Sequence, residues 1–189
     1  MKKVLILLCL LVLSTTTSFA SESTLAKTPT IAIIPYVNTT EETKAYVKET
    51  IETNFATEFP KEKFIIVSGV DIQKALNASG YDSSNMELPE KDMMSAVAKA
   101  TNADYVLAME INQLISSRHI SFFATKVETK AKLKYKFYNT AQDKAMPFQT
   151  TGDFENSATL IGDVGYKEPI TKSLNKAMDA AYNKILGYL

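Results

Sequence analysis

Short apolar runs and helical apolar stripes alternate along the chain, and that alternation predicts its elements. Residues 30–37 (TIAIIPYV) are almost continuously apolar, the pattern of a strand buried on both faces. Thr39 followed by Glu42 has the form of a capping box. Val47, Ile51 and Phe55 then recur every four residues, so a helix is expected until Phe59-Pro60 stops it. Residues 63–68 (KFIIVS) repeat the buried-strand pattern, and the order strand, helix, strand implies a parallel pair. Asp71 is placed to cap a short helix through Leu76 that ends at Gly80. Pro89 suits the first position of the next helix, whose apolar face is Met93, Met94, Val97 and Ala98.

The periodicity changes in the second half. Residues 104–116 (DYVLAMEINQLIS) read as a third strand. In residues 124–138 the side chains alternate strictly. Val127, Thr129, Ala131, Leu133, Tyr135 and Phe137 fall on one face, and Lys126, Glu128, Lys130, Lys132, Lys134 and Lys136 on the other. That is a strand with one wet face, as antiparallel sheets have. A turn at 139–144 leads to a fifth strand at 146–154, and residues 156–167 read as a loop. Ile170, Leu174, Ala177, Met178, Ala181 and Ile185 make the wide stripe of a last helix, with Pro169 near its start and Gly187 at its end. The expected fold is α/β (α+β): one domain over residues 30–189, a mixed sheet of about five strands with flanking helices, in the order β-α-β-α-α-β-β-β-α.

The amino terminus changes the picture of where this domain works. Lys2 and Lys3 precede an apolar stretch of about ten residues, and Ser18-Phe19-Ala20 ends in small residues. This is the form of a secretory signal cleaved after Ala20, with residues 21–29 as a linker. The apolar stretch is shorter than the roughly 20 residues a spanning helix needs. Cys9, the only cysteine, lies inside that stretch and not at its end, so lipidation is not expected. Its removal with the signal leaves an exported domain, periplasmic or secreted, without thiol chemistry or disulfides. Loss of Lys2 and Lys3 turns the formal charge of +0 slightly negative, which argues against a nucleic-acid binder.

Few residues offer catalysis. His119 is the single histidine and falls in the 116–123 connection, read as a hairpin tip. A site for Ser-His-Asp chemistry there would lack water-excluding walls. Histidine or cysteine metal sites are ruled out by count, and no cofactor motif is present. Two acids could still converge for glycoside hydrolysis, although no pair stands out. Two surfaces remain. Lys126, Lys130, Lys132, Lys134 and Lys136 could form a cationic stripe for an anionic polymer or membrane surface, or a solvated face. Arg118, His119, Phe122 and Phe123 join charge to apolar bulk at the hairpin tip, the composition of a contact site, unless Ile120 and Phe123 fold back onto the core.

The order of motifs resembles a known group. Residues 30–38 (TIAIIPYVN), 64–80 (FIIVSGVDIQKALNASG), 99–111 (KATNADYVLAMEI) and 137–146 (FYNTAQDKAM) are similar to successive elements of the curli secretion channel (CsgG) family and the TolB amino-terminal domain. The resemblance covers about residues 30–155. It implies a mixed sheet with flanking helices in non-enzymatic envelope proteins. The sequence departs from the group in lacking a lipidated cysteine after the signal and the two long membrane hairpins of the curli channel. The resulting expectation is a non-catalytic accessory or binding domain in envelope assembly or secretion. It would contact an envelope protein through the hairpin tip and the outer sheet face, with oligomer formation open. The alternatives are a polyanion or membrane-surface binder using the lysine face, and a carboxylate-based hydrolase.

Overall fold

The computed structural model describes residues 27–159 and 164–189. The expected signal, and the linker up to residue 26, lie outside the described residues. Among the described residues, six strands and four α-helices follow in the order β1 (Thr30–Ile33), β2 (Val37–Asn38), α1 (Ala45–Glu58), β3 (Ile65–Ile66), α2 (Gly69–Ala78), α3 (Lys91–Thr101), β4 (Tyr105–Ile120), β5 (Ala124–Asn139), β6 (Lys144–Thr159) and α4 (Lys167–Leu186), with a short 3₁₀ turn at Ser83–Asn85. The mixed, open sheet runs β3-β1-β4-β5-β6, with β2 also paired to β4. β1 is parallel to β3 and β4, while β4, β5 and β6 form an antiparallel meander. None of the described helices is long and apolar enough to cross a membrane.

The core explains the buried-strand patterns. On one face of the sheet α1 and α4 pack over Leu107, Met109, Ile111, Leu133, Tyr135 and Phe137. On the other, α2 and α3 pack over Ala32, Ile34, Val106, Ala108 and Tyr138. Three layers therefore enclose the start of β4 and the end of β5. The expected α4 stripe is buried in full, from Ile170 to Ile185. Small residues let α4 lie close to the sheet. A Cβ on Gly152 would stand 2.1 Å from the Ser173 carbonyl oxygen and 2.7 Å from the Ala177 nitrogen. The buried Ser173 hydroxyl donates to the Thr129 carbonyl at 2.8 Å.

Several local expectations are corrected. The first strand divides at Pro35, which has no N–H to give the ladder, so β1 and β2 each pair with β4. Thr39 does not cap a helix: its hydroxyl donates to the Ile111 carbonyl at 2.9 Å, and α1 begins six residues later behind Lys44. The sheet has captured the capping residue. β3 is only two residues long with Ile65 53% exposed, because it is the sheet's edge and not its interior. Ser68 caps α2, accepting from the Asp71 N–H at 3.2 Å, and Asp71 sits inside the first turn. Pro89 precedes α3 instead of opening it. β6 continues to Thr159, through a stretch read as loop.

Candidate functional site

The 16-residue strands β4, β5 and β6 outrun their helices. Each spans about 54 Å at about 3.4 Å per residue. The 20 residues of α4 cover about 30 Å at 1.5 Å per residue. The strands therefore leave the three-layered body as an arm. One arm face is covered by α4 for part of its length, the opposite face is open beyond α2 and α3, and the end is bare.

A β-bulge decides which residues occupy each face. Pairing of β4 with β5 shifts between Ile111 and Gln113, so Asn112 is the extra residue. Before it, Leu107, Met109 and Ile111 point to the α1–α4 side. After it, that side receives Leu114, Ser116 and Arg118, and the open face receives Gln113, Ile115, Ser117 and His119. The Ser116 and Thr129 hydroxyls accordingly meet at 2.7 Å under α4, and Ile115 is 53% exposed on the open face. This inversion was missed in the sequence, where Asn112 in an apolar run was the only trace.

The open face carries the lysine row on its central strand, but acids stand among the lysines. Lys126 lies 2.6 Å from Glu155 and 4.0 Å from Glu128. Lys134 pairs at 3.3 Å with Glu110, whose side chain is almost buried and also accepts from Asn112 at 3.2 Å. Lys136 reaches Glu90 of the α3 cap at 2.8 Å. Lys130 lies opposite Asp153 in the ladder, and Lys132 stands between Gln113 and Thr151. The Glu155 carboxylate beside Lys126 raises that lysine's pKa through a hydrogen bond. The face thus carries charges of both signs around Ile115, while Asp153 itself pairs with Lys176 of α4 at 3.6 Å.

The arm's end is different. The expected 116–123 connection contracts to residues 121–123, because the ladder continues to Ile120 opposite Thr125. The turn is closed by the Ser121 N–H donating to the Ala124 carbonyl at 2.8 Å and the Ala124 N–H donating to the Ser121 hydroxyl at 3.1 Å. His119 is therefore a strand residue, exposed on the open face opposite Lys126. Arg118 faces the other way. Its guanidinium donates to the Val164 carbonyl and lies 5.0 Å from the Tyr166 ring, fastening the start of α4 to the arm. Ile120, Phe122 and Phe123 do not fold back: they are 74%, 90% and 68% exposed, and the two phenyl rings meet edge to face at 5.1 Å.

Two carboxylate pairs come together. Glu128 and Glu155 are cross-strand neighbours on the open face with no enclosing walls. Between α1 and α4, burial and then the Asp179 charge raise the pKa of Glu58. The cavity that Glu58 lines there measures about 10 Å³, room for one water and no sugar. Among the described residues no three His, Cys, Asp or Glu side chains cluster as metal ligands.

No family model and no curated protein matches the sequence. Among solved structures there are distant likenesses. The chain is similar to lipoprotein GNA1162 from Neisseria meningitidis, at a TM-score of 0.45 and 10% identity over 85% of this chain and 99% of that one. It is also similar to the LpoB C-terminal domain from Salmonella enterica, at 0.41 and 14% over 67% and 82%. A third is the hypothetical protein CT253 from Chlamydia trachomatis, at 0.43 and 13% over 85% and 94%. These likenesses are too distant to assign an activity or a partner.

Proposed function

We propose that this chain is an exported, non-catalytic accessory domain of the cell envelope that acts by protein–protein contact through the open face of its arm. The observation that carries the reading is the composition of that face. Lys126, Lys130 and Lys134 alternate with Glu155, Asp153 and Glu110 around the half-exposed Ile115. Interspersed charges of both signs around an apolar centre suit a partner with a complementary pattern, since each misplaced charge costs a wrong partner. The partner is a folded envelope protein presenting such a mixed-charge patch. The motif order similar to curli channel and TolB domains supports the envelope part of the reading, and the export signal supports the compartment. The same ion pairs disfavour the polyanion reading, because a polymer following Lys126–Lys136 would also run past Glu110 and Glu155.

The test is a photo-crosslinking side chain at position 115 in intact cells. The reading predicts one protein adduct, lost when Lys130 and Lys132 are both changed to Glu and retained when exposed Val70 of α2 is changed to Ser. Equal adducts in all three backgrounds would reject a charge-matched contact.

A further inference from the structure

We propose that the tip of the arm is a lipid-contact wedge that seats Ile120, Phe122 and Phe123 in the headgroup–acyl boundary of an anionic membrane surface. Three features of the tip point to lipid.

The first is exposure at the extremity of a rigid element. The three side chains stand 74%, 90% and 68% exposed at the end of a ladder that stays paired to Ile120–Thr125. A hairpin already ordered in this way loses little freedom on insertion.

The second is area. An aromatic side chain buries about 150–250 Å², so Phe122 and Phe123 together supply about 300–500 Å², and even with the smaller Ile120 the tip falls short of the roughly 800 Å² per partner of a stable protein interface. A convex tip also offers no rim to exclude water from a flat protein partner. A fluid lipid surface closes around a wedge of any shape.

The third is the placement of charge. From Arg118 to Val127 the hairpin contains Arg118, His119 and Lys126 and no acid, and the β6 residues beside it, 156–159, are uncharged. Glu168 of α4 accepts from the Asn156 amide at 2.8 Å, and the strand acids Glu128 and Glu155 sit together one rung further back. That rung is five residues from Phe123, about 17 Å back along the strand. Interfacial apolar groups enter by about 5–10 Å. Insertion to that depth buries the rings and brings His119 to the headgroup level, where Lys126 exchanges its 2.6 Å pair with Glu155 for a lipid phosphate and the carboxylates stay in water. Anionic headgroups are the matching chemistry. The wedge is independent of the protein contact proposed for the open face, and it can hold that face at a fixed height above the membrane.

The experiment uses the purified protein and vesicles of phosphatidylcholine with and without phosphatidylglycerol. The chain has no tryptophan, so Phe122→Trp supplies a single reporter. Its emission should shift to the blue on adding phosphatidylglycerol vesicles, and the protein should float with them. Phe122→Ser with Phe123→Ser should cut flotation tenfold or more without moving the unfolding midpoint. Glu substituted for both His119 and Lys126 should cut it as well. Failure of the wild type to float at low salt, or flotation unchanged by the double serine variant, would overturn the proposal. So would equal flotation with phosphatidylcholine alone, or a crosslinker at 122 that captures protein and no lipid in cells.

Discussion

β4 passes through two environments, and the contrast between them organises the molecule. Its first residues, Val106 to Ile111, are buried whichever way they point, because α2 and α3 cover one face and α1 and α4 the other. Beyond the Asn112 bulge the same strand alternates, and it ends at Ile120, 74% exposed. The body spends its apolar side chains on folding. The arm retains some of them on its surface, where they bury little area and are available for contact. Stability and contact should therefore be separable by position along one strand.

Five substitutions can break or sharpen that separation. Leu107→Ala empties a fully buried site in the body and should cost about 2–5 kcal/mol in denaturant unfolding. Gly152→Ala, where α4 lies against the arm, should cost about 1–3 kcal/mol, because the new Cβ meets backbone and not a side chain that can move. A smaller effect of opposite sign is expected at Tyr135. Its hydroxyl is buried with no hydrogen-bond partner among the described residues, so Tyr135→Phe should stabilise by up to about 1 kcal/mol. Burial, reinforced by the Asp179 charge, holds the Tyr135 pKa above its ordinary value. The folded state thus resists ionisation of this group, and stability should fall as pH rises past about 10. Unfolding midpoints measured at pH 9 and pH 11 should fall less in Tyr135→Phe than in the wild type. The smallest shift belongs to the arm. Phe122→Ser and Ile115→Ser should each move stability by less than about 0.5 kcal/mol, measured by the same unfolding, although each removes a contact group.

Much of the body was legible in the sequence because burial there imposes a period. The strict alternation of 124–138 and the stripe from Ile170 to Ile185 are direct records of which face packs, and both match the structure. Local signals that compete with tertiary pairing were less legible. Thr39 and Glu42 have the form of a cap, but the Ile111 carbonyl takes the Thr39 hydroxyl. The end of β6 (FENSAT) lacks apolar alternation, since its partner β5 and not a core holds it in place. For the site, the apolar composition of the tip was legible, but the sequence left open whether Ile120 and Phe123 fold back onto the core, because a three-residue turn carries no period that records exposure. The neutralisation of the lysine row was not legible. It depends on the cross-strand register that sets Glu155 beside Lys126, and on Glu110 being placed by strand pairing beside Lys134.

One measurement bears most directly on a body that folds and an arm that makes contacts. A photo-crosslinker is placed in turn at Ile115, at Phe122 and at the exposed Val70 of α2, and adducts are analysed from intact cells. A protein adduct at 115, lipid adducts at 122 and neither at 70 is the predicted result. Adducts at 115 and 122 no more frequent than at 70 would contradict it, and the arm would then be a solvated extension of the sheet.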